Sequence, residues 1–545
     1  MIRSLISKDI FAFFLFSAVI FFLYTIFLIY SGYFEIGLLS DDYTNFISAQ
    51  NSTLVQKLTS SIPYYSNLHL RPLWFLSINL SIWLNEALQF EKGNFILFRI
   101  ENLLYFYILI FLSSYLLFRI TKKLYLTFIF FFMCLLYPSN VNDICWTVGK
   151  VDMLCAIFIF TALLITYSYI EKSSSYKIYL IGIFFSFALL TKETSVFLPV
   201  ITALLVYLSY NSRERIFEIK KILGMQIFIL IAYFSYRIYI IGMQPQEAAT
   251  KFQRPGVFNS LGVIFKAFIS LVMPFDYLSI QNYLHNFNLT FAVYSAFIFI
   301  FMVSVIFIFI RTGNYKNMFL LLLIFVVSVS PNLIAGYFRP QLILIPFMIF
   351  AFAILLIVNK MNINMKFFLV TMIFIMIVWV KISFNLIQDW KLAYQKSIES
   401  ITSLVDADLD ASKKNIVIGL PSRYRQACML DYSAGAYNYW KYGEFKMKDN
   451  IYDLVLTGAL DAGSLNSEIL INKLSDNEFE LFTTGVTQNF VRLDGAGNKY
   501  KDKDISFRLS ENNLFKKPTI LRMKITPGDA EVYIMSNDAV IKISE

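Results

Sequence analysis

Long apolar runs broken by short polar clusters set the pattern of the first 390 positions of this chain. A hydrocarbon core of about 30 Å is crossed by about 20 mostly apolar residues in helical form. Runs of that kind predict membrane-spanning helices near 10–31, 96–118, 124–138, 150–170, 177–190, 195–210, 222–242, 290–310, 317–335, 340–359 and 366–388, eleven in all. The first run is too long for a cleavable signal, and no small-residue cleavage pattern follows it. The segment 261–275 is apolar but short and carries Lys266 and Pro274, which favours re-entrant or interfacial placement within an outer stretch, 243–289.

After residue 390 the pattern changes. Short β-type runs (NIVIGL, YDLVLTG, FELFTTG, TILRMKIT, AEVYIMS, AVIKIS) alternate with Asn, Asp and Gly, as in a small strand-rich α+β domain. The predicted fold class is a polytopic α-helical membrane protein of about 11 spans with a β-rich C-terminal domain. Residues 1–389 form the membrane part, with an outer loop at 32–95, and 390–545 form the extracytoplasmic domain.

Composition agrees with this pattern. Of 545 residues, 57% are apolar and only 15% charged, where soluble domains carry about 25% charge. That excludes a soluble enzyme, a disordered protein and a nucleic-acid-binding domain as the main reading. Four cysteines lack metal spacing, and two histidines, His69 and His285, cannot form a multi-histidine metal site. The net charge of +10 reflects Lys and Arg in loops. With the amino terminus inside, the inner loops hold 15 of them, from Arg3 and Lys8 to Lys360 and Lys366. The short outer turns at 139–149, 191–194 and 336–339 hold only Lys192 and Arg339. The remaining intramembrane charges gather on the same outer side: Arg99 and Glu101, Lys150 and Asp152, Arg237 and Lys381. Such charges are costly in lipid and point to function by default. Snorkelling explains any one of them equally well. A polar cleft open to the outer leaflet explains the group, and it suits a lipid-borne anionic substrate.

Five segments then stand in order: GLLSDDYTNF with Asp41 and Asp42, LRPLWFLSINLSIWLN with Arg71, YPSNVNDICWTVGKVDMLCAIF with Asp143, Trp146, Lys150 and Asp152, LLTKETSVFLPV with Lys192 and Glu193, and GYFRPQLILIP with Arg339. Together they resemble the GT-C superfamily of polyprenyl-phosphate-sugar-dependent glycosyltransferases over roughly residues 1–360, with the closest look to the protein O-mannosyltransferase and TMTC-like branch. The resemblance places Asp41 and Asp42 at the family's catalytic acidic pair, Lys192 and Glu193 in its acidic-basic turn, and Arg339 at its donor-phosphate arginine. Lys192 and Arg237 are expected to assist at the phosphate, and Glu193, Arg71, Glu101, Asp143, Lys150, Asp152 and Trp146 to line or support the cleft. The sequence departs from the family pattern at Lys150, which replaces an arginine, and in the absence of flanking histidines.

The resemblance implies a polyprenyl (undecaprenyl) phosphate sugar donor and an extracytoplasmic acceptor, either a surface glycan such as O-antigen or a protein hydroxyl. It calls for membrane lipids as surroundings, no nucleic acid, no metal ligand set and no cofactor, with a divalent cation left open. The chemistry fits. A departing polyprenyl phosphate needs cations rather than the general acid of a glycosidase, and the acceptor hydroxyl needs a base. Single displacement inverts the anomeric centre. An Ile-, Phe-, Lys- and Asn-rich composition leans towards a bacterial inner membrane. The competing readings are a polyprenyl-linked glycan polymerase or ligase, and a lipid or solute transporter. The first lacks the DDY loop and the TKE turn, and the second predicts paired repeats and broken midplane helices that the sequence does not display.

Overall fold

The computed structural model describes residues 8–543 except 64–68, 210–213, 242–256, 275–288, 312–313, 336–337, 339, 361–364, 411, 426, 431–432, 449–450, 461–467, 484–489, 493–498, 502, 510–519, 527–529 and 538. Arg339 and His285 therefore lie outside the described residues.

Every apolar run named above coincides with a helix. In chain order the helices are α1 Lys8–Tyr30, α2 Asp42–Gln50, α3 Leu54–Leu58, α4 Pro72–Ala87, α5 Ile96–Thr121, α6 Leu124–Leu136, α7 Ser139–Cys145, α8 Lys150–Glu171, α9 Ser175–Thr191, α10 Leu198–Ser209 and α11 Glu214–Ile241. They continue with α12 Val257–Val272, α13 Leu289–Arg311, α14 Tyr315–Ala335, α15 Leu344–Lys360, α16 Met365–Asp406 and α17 Ser433–Tyr442. Among the described residues, six helices are long and apolar enough to cross a membrane, or seven if α6 and α7, bent by 60° at Tyr137–Pro138, make one span. Others, such as α9 and α15, are apolar but shorter. Their outward surface is greasy. On α1, Phe11, Phe14, Leu15, Phe22 and Leu23 are all exposed, the opposite of a water-facing helix.

The last helix of the bundle, α16, does not stop at residue 389. It runs for 42 residues, about 63 Å at 1.5 Å per residue, about twice the thickness of a 30 Å hydrocarbon layer. Its upper part then becomes the floor on which the C-terminal domain is laid.

That domain is two packed sheets. The first runs β11-β10-β1-β3-β6, with β1 Lys414–Tyr424 parallel to both β10 Ala530–Ser536 and β3 Ile451–Leu460. A short β2, Ala427–Cys428, folds back on β1, and β11 Ala539–Lys542 and β6 Phe490–Arg492 close the edges. Parallel neighbours need a crossover, and α17 lies in the one between β1 and β3. The second sheet is fully antiparallel, in the order β4 Ile469–Ser475, β5 Glu478–Thr483, β9 Ile520–Ile525, β8 Ile505–Leu509, β7 Lys499–Lys501. Alternation sorts the faces. Ile416, Ile418, Val532 and Ile534 of the first sheet bury against Phe479, Leu481, Phe507, Leu521 and Met523 of the second. Val417, Leu420, Tyr533 and Met535 point the other way and join the core shared with the helices.

The domain is seated on the loop that carries the acidic pair. The Ser40 amide donates to the Met429 carbonyl at 2.6 Å, Trp440 Nε1 donates to the Tyr43 hydroxyl at 2.9 Å, and Asn51 Nδ2 donates to the Phe445 carbonyl at 2.9 Å. Gly435 of α17 lies so near α2 that a Cβ there would stand 3.0 Å from the Thr44 amide. Backbone approach of that kind admits only glycine without displacement.

Candidate active site

Asp41 and Asp42 are neighbours with opposite surroundings. Asp42 is completely buried at the start of α2. One of its oxygens accepts from the Leu39 amide and the other from the Val148 amide, both at 2.9 Å. Burial pushes its carboxyl up to about 6, against the pull of the Arg99 charge and of those two amides. Asp41, half-buried, turns towards the 139–149 turn, where Trp146 Nε1 donates to it at 3.1 Å. The residue before them, Ser40, holds a left-handed φ of 53°. Such conformations in non-glycine residues cost of order 1–3 kcal/mol and persist only where the surroundings enforce them.

Beneath this loop lies Arg99, at the start of α5 and fully buried. Its guanidinium donates to the Gly37 carbonyl at 2.8 Å, to the Thr147 hydroxyl and to the carbonyls of Ile144 and Cys145. Tyr33 adds its hydroxyl to the Ile144 carbonyl at 3.2 Å, and Asn102 donates to the Trp146 carbonyl at 3.0 Å. A planar five-donor fork can gather several carbonyls at once where lysine cannot. Arg99 thus ties the 37–42 loop to the 144–148 turn.

The other predicted residues fall into three groups. Lys150, fully buried, pairs with the partly buried Glu101 at 3.3 Å, with the Ser81 hydroxyl between them, 2.5 Å from each. This triad fastens α4, α5 and α8 behind the acidic loop. Lys192 pairs with Asp152 at 2.5 Å, and both are nearly buried. Asp143 feels both of their charges, yet neither of its own oxygens has a hydrogen-bond partner among the described residues. A cleft of about 260 Å³, open solvent at its mouth included, adjoins this pair and is lined by Asp152, Lys192, Thr194, Ser328, Asn332 and Pro346. The third group is Glu193, gripped by Arg71 through Nε at 2.8 Å and Nη2 at 2.6 Å, with His69 Nδ1 at 2.8 Å. Burial works against the Glu193 charge, but Arg71 and His69 outweigh it and hold the carboxyl well below its ordinary range. Arg237 lies near the end of α11.

The sequence names Asp41, Trp146, Arg71, Glu193 and Arg237 as site residues, and the fold pairs Asp41 with Trp146 and Arg71 with Glu193. It sets Lys192 in an ion pair. His69 and Tyr233 escaped sequence reasoning. A lone histidine carries no spacing signal, and one tyrosine of 34 is indistinguishable from an interfacial aromatic. Among the described residues no group of three or more His, Cys, Asp or Glu side chains is arranged to hold a metal ion.

The Lys192–Asp152 pair gives a direct expectation. Removing one member of a buried pair costs about 3–5 kcal/mol, because the other charge is stranded. Lys192→Met should therefore lower the thermal midpoint of the detergent-solubilised protein sharply, and Lys192→Met with Asp152→Asn should recover most of the loss. An unchanged midpoint in the single variant would mean that the pair carries no structural weight.

No protein-family model matches the chain, and no curated protein is significantly similar to it.

Proposed function

We propose that this chain is a membrane-embedded inverting glycosyltransferase that moves a sugar from a polyprenyl phosphate to an extracytoplasmic acceptor. The eleven apolar helices span the bilayer, the amino terminus is cytoplasmic and the two-sheet domain is extracytoplasmic, as the inner-side lysines and arginines require. The observation that carries the reading is the division of labour in the acidic pair. One carboxylate is held rigidly by two backbone amides while its neighbour reaches outward beside an indole.

In this reading Asp41 accepts the proton of the acceptor hydroxyl as the oxygen attacks the anomeric carbon, and the C–O bond to phosphate breaks on the opposite face. The departing phosphate is met by cations. Arg237 and Arg339 supply that charge in this reading, and Arg71, paired with Glu193, supports them. Arginine suits the task because its fork donates two parallel hydrogen bonds to one phosphate. Lys192, neutralised by Asp152, supports the turn that presents Glu193 and Arg71. Trp146 orients Asp41 and offers an aromatic edge to a sugar ring. The acceptor is either a surface glycan or a protein hydroxyl.

The test is a reconstituted reaction. Purified protein in liposomes is given radiolabelled undecaprenyl phosphate glucose, mannose or galactose, together with total envelope glycan and glycoprotein from the host. Label should pass into the acceptor fraction from one donor, with inverted anomeric configuration, and Arg339→Lys should transfer poorly despite its retained charge. No transfer from any donor would reject the reading. Orientation is checked separately. Alkaline phosphatase fused after Glu545 should be active, and inactivity would place the two-sheet domain on the wrong side of the membrane.

A further inference from the structure

The outer face of the second sheet carries a charge pattern that the reading above does not use. Pairing register lines up Asn472, Glu480, Arg522, Arg508 and Lys499 in one row across all five strands. The next row holds Glu478, Lys524, Ser506 and Lys501. These side chains alternate with Phe479, Leu481, Leu521, Met523 and Phe507, which bury on the first sheet, so they share the opposite face, where all but the buried Glu480 reach solvent. Five cations thus face two carboxylates. Glu480 pairs with Arg522 at 2.5 Å and Glu478 with Lys524 at 3.0 Å, but Arg522 and Lys524 stay largely exposed, at 70% and 61%. Arg508 has a cation directly opposite it on either side, Arg522 and Lys499, and no acidic partner among the described residues. Like charges directly opposite each other destabilise a sheet, and nothing in the fold requires them there.

Beside this charged row, on the same face, runs an apolar one: Leu470, Phe482 and Ile520. Leu470 is half exposed and Phe482 and Ile520 are partly so. Neighbouring strands lie about 4.8 Å apart and residues i and i+2 about 6.7 Å apart, so the two rows form one strip of cations beside one strip of apolar surface. The opposite face of this sheet is buried on the first sheet, whose own far face packs on the helical core. The charged face therefore points away from the bundle and from any membrane around it, which disfavours lipid headgroups as its occupant.

We propose that this face binds an anionic polysaccharide, with carboxylate or phosphate groups on Arg522, Arg508 and Lys499 and sugar rings against Phe482. Repeated anions along an extended polymer match a row of cations spaced by strands better than a single compact phosphate would. The inference deepens the glycan-acceptor reading and rests on the extracytoplasmic placement of the domain. It is a docking surface remote from the chemistry, so its failure and that of the transferase reading are separable.

The experiment uses the full chain in nanodiscs and measures binding of polygalacturonate, with neutral dextran, a single-stranded oligodeoxynucleotide and anionic phosphatidylglycerol vesicles as comparisons. Polygalacturonate should bind, weaken with added salt as exposed charges are screened, and lose at least tenfold in affinity in Lys499→Glu/Arg508→Glu. Arg508→Lys should bind within about twofold of the native chain, and transfer to a small acceptor should be unchanged in all three proteins. Equal binding by the doubly substituted chain would overturn the proposal. So would dextran binding as tight as that of polygalacturonate, or tighter binding of the oligonucleotide or the vesicles through the same residues. Loss of binding in Arg508→Lys together with a lowered thermal midpoint would assign Arg508 to the fold and also overturn it.

Discussion

Asp41→Asn should abolish sugar transfer while leaving the folded protein and its donor binding intact. The substitution keeps the shape of the side chain and its bond from Trp146, and removes only the basicity. A positioned general base contributes about 10²–10⁴-fold, so a loss in that range is expected in kcat at constant donor KM. Asp42→Asn should behave differently. Its carboxylate is locked between the Leu39 and Val148 amides, and an amide in its place can accept only one of those bonds well. The expected result is a partial loss of turnover accompanied by a loosened loop.

The pH dependence separates the two further. Asp42 titrates near 6 in the folded chain against 3.8 for an ordinary aspartate. Between about 4 and 6 the folded chain therefore holds a proton that the unfolded chain has lost, and stability falls as pH rises through that window, then levels off above it. The span corresponds to about 3 kcal/mol at full effect. Thermal midpoints measured from pH 4 to 7 should slope downward in the native chain and lie flatter in Asp42→Asn. Equal slopes would remove Asp42 as the titrating group.

Arg99→Met should be the most damaging single change to the fold. It withdraws donors from Gly37, Ile144, Cys145 and Thr147 at once in a fully buried place, where the Ile144 carbonyl keeps the Tyr33 hydroxyl and the others lose their guanidinium partner. Each buried acceptor left unsatisfied costs about 1–3 kcal/mol, so the sum rivals the whole stability of a domain. The variant should accumulate poorly and, where it survives in detergent, show the 37–42 loop open to protease. Normal accumulation with a protected loop would contradict the role assigned to Arg99. Arg99→Lys should rescue little, since one ammonium cannot reach four acceptors.

The helices were legible because apolar runs of membrane length leave little freedom in assignment: α1, α5, α8 and α16 begin within a few residues of their predicted starts. The strands at 414–424, 478–483 and 530–536 were equally clear from their alternation or apolar density. The crossover helix α17 was not. Its SAGAYNYWKY sequence mixes small and aromatic residues without a helical stripe, and only the parallel pairing of β1 with β3 demands it. The extension of α16 to Asp406 was hidden as well, because its polar upper part buries Trp390, Ser397 and Ser400 against elements distant in sequence.

For the site, sequence placed Asp41 and Trp146 in separate loops but could not pair them across 105 residues. It gave Lys192 a phosphate-facing role from its isolation in an outer turn. The partner that neutralises it, Asp152, sits 40 residues earlier, and only the packing of α8 against α9 brings the two together. Glu193 has its own explanation in Arg71 and His69, a contact between the first outer loop and the 191–194 turn that no local pattern announces.

The most direct test of the account is made in cells. A deletion strain is complemented with the native chain, with Asp41→Asn or with an empty vector, and its surface glycans and glycoproteins are weighed by mass spectrometry. One glycan or glycoprotein should lose the mass of a single transferred sugar in the deletion, regain it with the native chain, and stay light with Asp41→Asn at equal protein level. Full restoration by Asp41→Asn, or glycan masses identical with and without the chain, would contradict it.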